Sequence, residues 1–144
     1  MKHGLKGAFF AVLVSVLFLP LPITVAEDFK PNFVISDPDL QDYESMGRGE
    51  IQAFLVNKKS FLSNYIAQDK NGKNKRAADI IYDASREYKI NPKYVLVMLQ
   101  KEQSLVSDPD PSDRQLDFAT GYSVCDSCSF SEEKVLKYKG FGKQ

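Results

Sequence analysis

The sequence predicts an all-α domain of five short helices that follows an extended N-terminal leader. Three observations support this prediction: apolar residues recur at helical spacing, capping residues precede those segments, and Gly or Pro follows them. The chain has 144 residues, of which 43% are hydrophobic and 26% are charged, so we expect one ordinary globular domain. The formal net charge is zero, and without a basic surplus we expect no nucleic-acid partner.

Residues 1–26 have the pattern of a secretory signal peptide. Lys2 and Lys6 provide a positive start, residues 8–19 form an apolar run, and cleavage is predicted after Ala26. The run is shorter than the roughly 20 residues that a membrane-spanning helix needs. We therefore expect a protein that is secreted or held in the cell envelope and that meets the membrane only transiently. An uncleaved membrane anchor is the alternative.

The mature chain is predicted to begin with an extended leader, residues 27–44, because prolines and acidic residues punctuate this segment. The helical domain then occupies residues 45–144, and Ser45 is expected to open its first helix. The polar segment 68–74 is predicted to be a loop with an Asn-Gly turn, since its flanks lack the clean alternation of a hairpin. A second helix is expected over residues 75–88.

The third predicted helix carries the most informative residue of the chain, Glu102. Asn91 is a good N-cap, and Pro92 suits the first helical position. Residues 94–99 are apolar on nearly every side, so we expect this helix to lie inside the domain. A carboxylate at the end of such a helix is costly to ionise, which favours an acid that keeps its proton and donates it to a leaving group. A solvated carboxylate at a helix end is the alternative.

Ser112 is predicted to cap a short fourth helix that ends at Gly121, and a fifth helix is expected to begin near Ser131. Between them stand Cys125 and Cys128 in a C-x-x-C spacing. Outside the cytosol a disulfide is the default state of such a pair, while a reduced pair and a redox role remain alternatives. A zinc site would need two more ligands, and the single His lies in the signal segment, so we expect neither a metal nor a cofactor.

The helix that ends near Glu102 resembles the buried helix of the lysozyme-like lytic transglycosylases of bacteria. In that family Asn-Pro opens the helix, an apolar run follows, and a Glu is the lone catalytic acid/base; residues 91–102 match this order. A Ser usually follows that Glu directly, whereas here Gln103 stands before Ser104. Secreted glucosaminidase-like proteins of the same superfamily are similar in further short stretches: residues 51–55, 78–82, 99–105, 119–122 and 140–144.

This resemblance implies a lysozyme-like helical domain that cleaves the β-1,4 bond between N-acetylmuramic acid and N-acetylglucosamine, in peptidoglycan or a related amino-sugar glycan. Glu102 would donate a proton to the glycosidic oxygen, and its carboxylate would then take a proton from the sugar's 6-hydroxyl or from water. The first outcome is that of a lytic transglycosylase and the second that of a muramidase, and the sequence leaves this choice open. Domains of the family continue with further helices, so we expect this one to be incomplete at its C-terminus.

Four further residues are predicted to bind substrate: Gln103, Ser104, Tyr122 and Gln144. Gln103 and Ser104 stand beside the acid and are expected to orient it. Tyr122 lies in a loop that would bring an aromatic face to a sugar ring, and Gln144 would hydrogen-bond the sugar or Glu102. The alternatives are a packing role for Tyr122, solvent exposure for Gln103 and Ser104, and disorder for Gln144.

Two other hypotheses are open on the sequence. The first is a non-catalytic exported protein that binds the cell wall, or has a structural role, and retains a lysozyme-like core. The second is a thiol-active exported protein, which would need both cysteines to be free. The sequence leaves the oligomeric state open.

Overall fold

The structure is a computed structural model that describes residue 31 and residues 33–144. The predicted signal peptide and the first residues of the leader lie outside the described residues. Among those that are described, the helices are too short or too polar to cross a bilayer.

The described part of the chain contains six α-helices, one short 3-10 helix and one antiparallel pair of strands. The predicted helical class is therefore confirmed in its general form, with a small sheet added to it. In chain order the elements are α1 (Asp37–Gln41), α2 (Arg48–Asn57), the 3-10 helix (Phe61–Ser63), β1 (Ile66–Gln68), β2 (Asn74–Arg76), α3 (Ala77–Tyr88), α4 (Pro92–Gln103), α5 (Asp113–Asp117) and α6 (Glu133–Leu136).

Three helices build the core. Helix α3 packs against both α2 and α4, and the 3-10 helix contacts both α2 and α3. Apolar residues three and four positions apart place one stripe of each helix toward this core. The buried apolar side chains include Ile51, Leu55, Leu62, Ile80, Ile81, Leu96, Leu99, Leu105 and Phe141.

The leader is not wholly extended, so the prediction for residues 27–44 is wrong at α1. Ser36 caps this helix, because its hydroxyl oxygen accepts a hydrogen bond from the backbone N–H of Asp39 (3.1 Å), and a proline occupies the first turn. The side-chain amide of Asn91 donates to the carbonyl of Asp39 (2.8 Å), which joins α1 to the start of α4. Local capping and this long-range bond together overcome the proline-rich composition.

The first large helix begins three residues later than predicted. The backbone N–H of Gly47 donates to the carboxylate of Glu50 (2.6 Å), which starts α2 at Arg48. The hydroxyl of Ser45 instead donates to the side-chain oxygen of Asn91 (2.7 Å). Ser45 therefore serves the N-cap of α4 and not that of its own helix.

The segment predicted as a plain loop forms the turn of a hairpin. Strands β1 and β2 pair antiparallel, with Ile66 opposite Arg76 and Gln68 opposite Asn74. The turn is held by Asp69, whose carboxylate accepts hydrogen bonds from the backbone N–H groups of the turn. The sequence pattern did not reveal this hairpin because each strand has only three residues, which is too few for alternation to show, and because side-chain-to-backbone bonds from Asp69 hold the turn.

Helix α4 has the predicted N-cap and start but not the predicted burial. The side-chain oxygen of Asn91 accepts from the backbone N–H of Lys93 (2.9 Å), which confirms the cap. Only Pro92, Leu96 and Leu99 of the helix are buried, and Val97 is 58% exposed. One face of α4 therefore meets the core while the opposite face meets solvent.

Candidate functional site

An open groove runs between α3 and α4 and is bordered by the β-hairpin and residues 140–144. Its volume is about 570 Å³. The floor is apolar and the rim carries hydroxyl, amide and charged groups. The floor includes Ile80, Ile81, Val95, Met98, Leu99 and Phe141, and the rim includes Asp69, Lys70, Lys75, Asp83, Thr120, Tyr122, Tyr138, Lys143 and Gln144.

Two tyrosines form an aromatic wall of the groove. The rings of Tyr122 and Tyr138 pack in a T-shaped, edge-to-face arrangement, with centroids 4.9 Å apart and planes at 90°. Tyr122 is 57% exposed, so one side of its ring stays available to a ligand. Aromatic faces of this kind offer apolar area and a hydrogen-bonding hydroxyl in one rigid group.

Residues 140–144 are anchored to the hairpin and to the loop that carries Tyr122. Phe141 is buried and packs edge-on against Tyr65, with centroids 5.6 Å apart. The side-chain amide of Gln144 donates to the carbonyl of Tyr138 (2.6 Å), and the hydroxyl of Thr120 donates to the main-chain oxygen of Gln144 (3.2 Å). These contacts bring the predicted residues Tyr122 and Gln144 to the same groove. Their roles in substrate binding stay predictions.

A buried carboxylate fixes the hairpin side of the groove. The Oδ1 atom of Asp69 accepts from the backbone N–H groups of Asn71 (2.8 Å) and Lys73 (2.9 Å), and Oδ2 lies 2.9 Å from the Nζ atom of Lys75. The bond from the Lys73 backbone and then the bond from Lys75 hold the pKa of Asp69 at about 2. Lys75 also pairs with Asp83 on α3 (2.8 Å), which links hairpin and helix.

Glu102 lies at the end of α4, outside the lining of the groove. Its side chain is 30% exposed, and Oε1 lies 2.5 Å from the Nζ atom of Lys101. The hydrogen bond to Glu102 raises the pKa of Lys101. The expectation of an acid enclosed by an apolar wall is therefore wrong, because α4 exposes one face and the neighbouring lysine reaches the carboxylate. Its catalytic role stays a prediction.

The carboxylate of Glu102 nevertheless borders the loop that supplies the groove. Its Oε2 atom lies 3.3 Å from the place where a Cβ atom on Gly121 would stand, and Gly121 has a φ of +71°. Thr120 and Tyr122, on either side of this glycine, both line the groove. The absent side chain at Gly121 thus permits close contact between the acid and this loop.

Gln103 and Ser104 lie apart from Tyr122 and Gln144. The carbonyl of Gln103 accepts from the side-chain amide of Gln115 (3.0 Å), which ties α4 to α5. Ser104 ends α4 in the left-handed region (φ 59°), and its side chain is exposed. Neither residue lines the groove, so the structure gathers only part of the predicted set.

The cysteine pair forms the predicted disulfide, Cys125–Cys128. Cys125 is exposed and Cys128 is half-buried. The loop that holds them connects Tyr122 with Phe130, whose ring packs on Phe118 at 5.0 Å between centroids. Within residues 33–144 no set of three or more His, Cys, Asp or Glu side chains converges as metal ligands would.

Sequence reasoning missed several groove residues, chiefly Asp69, Asp83, Tyr138 and Lys143. The sequence did carry a signal for the groove residues of α3. The spacing i, i+3 and i+7 places Ile80, Asp83 and Glu87 on one face of the predicted helix, so that face combines apolar and charged side chains. For Asp69 and Tyr138 no local pattern marks the site, because their neighbours in the groove come from distant parts of the chain.

Comparison with known proteins identifies a different family from the one inferred from the motifs. A family model described as "LasA, N-terminal domain" matches residues 34–132. Neither the curated proteins nor the solved structures contain a match to the chain. The assignment to lysozyme-like lytic transglycosylases is therefore wrong. It depended on short stretches, and the most informative of them departs from the pattern of that family at Gln103, which stands between Glu102 and Ser104.

Proposed function

The chain belongs to the LasA N-terminal domain family, and we propose that it is an exported domain that binds the amino-sugar glycan of peptidoglycan in the groove between α3 and α4. Family membership supports the exported and cell-wall-related parts of this proposal. The signal-peptide pattern of residues 1–26 supports export independently.

The composition of the groove carries the proposal. An N-acetylated sugar offers an apolar ring face and an acetamido methyl group, together with amide and hydroxyl groups that need hydrogen-bond partners. The groove combines an apolar floor that includes Met98 and Phe141 with polar groups on the rim that include Thr120 and Gln144. Ligand sites typically pair a largely apolar lining with a few placed polar groups.

The aromatic wall supports the same ligand class. The exposed ring of Tyr122 is held by its edge contact with Tyr138, so little side-chain freedom remains to be lost when a sugar stacks on it. The hydroxyl groups of both tyrosines add donors and acceptors at the rim.

A second candidate function is cleavage of the bound glycan by Glu102. The observation that favours it is the position of this carboxylate, whose Oε2 atom lies 3.3 Å from where a Cβ atom on Gly121 would stand, next to Tyr122 of the groove. A glycan that continues past Tyr122 would bring a glycosidic oxygen toward the acid. Glu102 would first leave Lys101 and take up a proton from solvent, and it would then donate that proton to the glycosidic oxygen as the bond to the anomeric carbon breaks. The carboxylate would then take a proton from the 6-hydroxyl or from water as that oxygen attacks the same carbon.

One experiment tests the binding function with a matched pair of variants. Purified peptidoglycan is incubated with the wild type, Tyr122→Ala and Phe33→Ala, and the bound fraction is measured by sedimentation. Phe33 is an equally exposed aromatic residue outside the groove (60% exposed). Loss of one stacking ring is expected to weaken binding about tenfold for Tyr122→Ala, with no change for Phe33→Ala. Equal retention of both variants would overturn the binding proposal.

The catalytic candidate is tested on the same samples by mass spectrometry of released muropeptides. Release by the wild type but not by Glu102→Gln supports cleavage, and an anhydro or a reducing end assigns the acceptor as the 6-hydroxyl or water. Binding without any released product rejects cleavage and leaves the binding function in place.

A further inference from the structure

We infer that Lys143 recognises a carboxylate of the bound glycan and so makes the groove prefer muramyl residues over plain N-acetylglucosamine. This inference rests on the proposed glycan-binding function. A muramyl residue differs from N-acetylglucosamine by a lactyl ether, which carries either a free carboxylate or the acidic stem peptide. The question is therefore whether the groove presents a cation that is available for that negative charge.

The acidic groups of the groove are already paired. Lys75 lies between Asp69 (2.9 Å) and Asp83 (2.8 Å) and neutralises part of both charges. Lys70 forms an ion pair with Glu87 on the same rim. These contacts occupy two of the three lysines and all three carboxylates that line the groove.

Lys143 is the remaining charged residue of the lining. It makes no ion pair, and its ammonium group makes no hydrogen bond, with any residue in the range 33–144. Its side chain is exposed beside Gln144. A ligand carboxylate that enters the groove can therefore pair with Lys143 without first breaking an ion pair among the described residues.

Backbone contacts fix the main chain around Lys143, whereas its ammonium group has no partner in the part of the chain that the structure describes. Gly142 forms a parallel bridge with Asp69, and the backbone N–H of Lys143 donates to the carbonyl of Gly140 (2.9 Å). Phe141, two residues before Lys143, is buried in the core. The fold therefore fixes the backbone of Lys143 beside the groove that this residue lines, and among the described residues its ammonium group has no ion-pair partner.

The experiment compares two disaccharides that differ by the lactyl group. N-acetylglucosaminyl-N-acetylmuramic acid and N,N′-diacetylchitobiose are titrated into the protein, and affinities are followed by NMR chemical shifts. An exposed ion pair is worth at most about 1 kcal/mol, so we expect a preference of about threefold to fivefold for the acidic sugar. This preference should shrink as salt is raised. Lys143→Met should abolish it and Lys143→Glu should reverse it.

The matched control is Lys139→Met, since Lys139 pairs with Asp117 (3.3 Å) outside the groove and its loss should leave the preference unchanged. If Lys143→Met keeps the wild-type preference while chitobiose still binds, the inference on Lys143 is overturned and the glycan-binding function stands. If neither disaccharide binds the wild type, the proposed function itself fails.

Discussion

At the scale of single residues, Asp69 organises the hairpin side of the groove. Its carboxylate accepts hydrogen bonds from two backbone N–H groups of its own turn and forms an ion pair with Lys75. All these contacts favour the ionised form, and the pKa is held at about 2. The stability that this residue contributes therefore depends on pH.

The first prediction concerns acid stability. The pKa of Asp69 is lower in the folded chain (about 2) than in an unfolded chain (about 3.9), so its contribution is fully present above about pH 4. It is lost as the pH falls from about 4 through 2. Asp69→Asn should be less stable than the wild type at pH 6, and its free energy of unfolding should fall less between pH 4 and pH 2. Urea unfolding at pH 6, 4, 3 and 2 measures both effects.

Asp126→Asn is the control for this prediction. Asp126 is exposed and makes no side-chain hydrogen bond or ion pair with any described residue. Its variant should follow the wild-type pH dependence. If the free energy of unfolding of Asp69→Asn falls as steeply between pH 4 and pH 2 as that of the wild type, the role given to Asp69 is contradicted.

A second residue-scale prediction concerns Gly142. A Cβ atom at this position would lie 2.7 Å from the Cα atom of Asp69, a backbone atom that cannot rotate away. Gly142→Ala should lower the free energy of unfolding by about 1–3 kcal/mol, the usual cost of overpacking. Gly49→Ala is the control, because nothing lies within 4 Å of its Cβ position. That variant should be unchanged or more stable by up to about 1 kcal/mol, since Ala is the better helix former. Denaturant titration measures the free energy of unfolding of both variants. Equal values for Gly142→Ala and Gly49→Ala would contradict the close contact at Gly142.

At the scale of elements, Asn91 connects three segments through one side chain. Its oxygen caps α4 at Lys93 and accepts from Ser45, while its amide donates to the carbonyl of Asp39 in α1. The cap is thus a junction between the leader helix and the domain as well as a local signal.

Asn91→Ala is therefore predicted to cost more than an ordinary cap. Loss of the cap and of the partners for Ser45 and Asp39 should lower the free energy of unfolding by about 2–3 kcal/mol. Ser112→Ala, at the exposed cap of the short helix α5, should cost about 0.5–1 kcal/mol. Denaturant titration gives both values. A difference in the opposite direction would contradict the junction role.

At the scale of the whole molecule, the disulfide is peripheral to the core. Cys125 and Cys128 are three residues apart, and neither belongs to the buried cluster formed by α2, α3 and α4. The chain-entropy model gives so short a loop a stabilisation of about 2 kcal/mol. The core should therefore survive reduction.

Hydrogen exchange tests this last prediction. A reducing agent should speed amide exchange in residues 121–131 and leave protection in α2, α3 and α4 largely unchanged. The double variant Cys125→Ser, Cys128→Ser should show the same pattern and should not respond to reducing agent. Loss of protection throughout α3 on reduction would show that the cross-link supports the whole fold.

Much of the helical framework was predictable because its causes are local. Asn91 and Ser112 cap their helices through atoms within three residues, and the apolar spacing of α3 is visible in the sequence. The hairpin and α1 were missed for a physical reason. Asp69 and the Asp39–Asn91 bond stabilise them through side-chain contacts that no periodic pattern records.

The sequence by itself located α3, α4 and the start of α5, because capping bonds and apolar spacing act over short chain distances. It extended α5 to Gly121, whereas the helix ends at Asp117, and it favoured the Cys125–Cys128 disulfide that the structure contains. Only the tertiary structure decided that Tyr122, Tyr138 and Gln144 share a groove with α3. It also decided that Glu102 stands at the border of this groove, paired with Lys101. The physical reason is that exposure and proximity depend on how distant segments pack, and a side chain's neighbours across a groove leave no trace in its own segment.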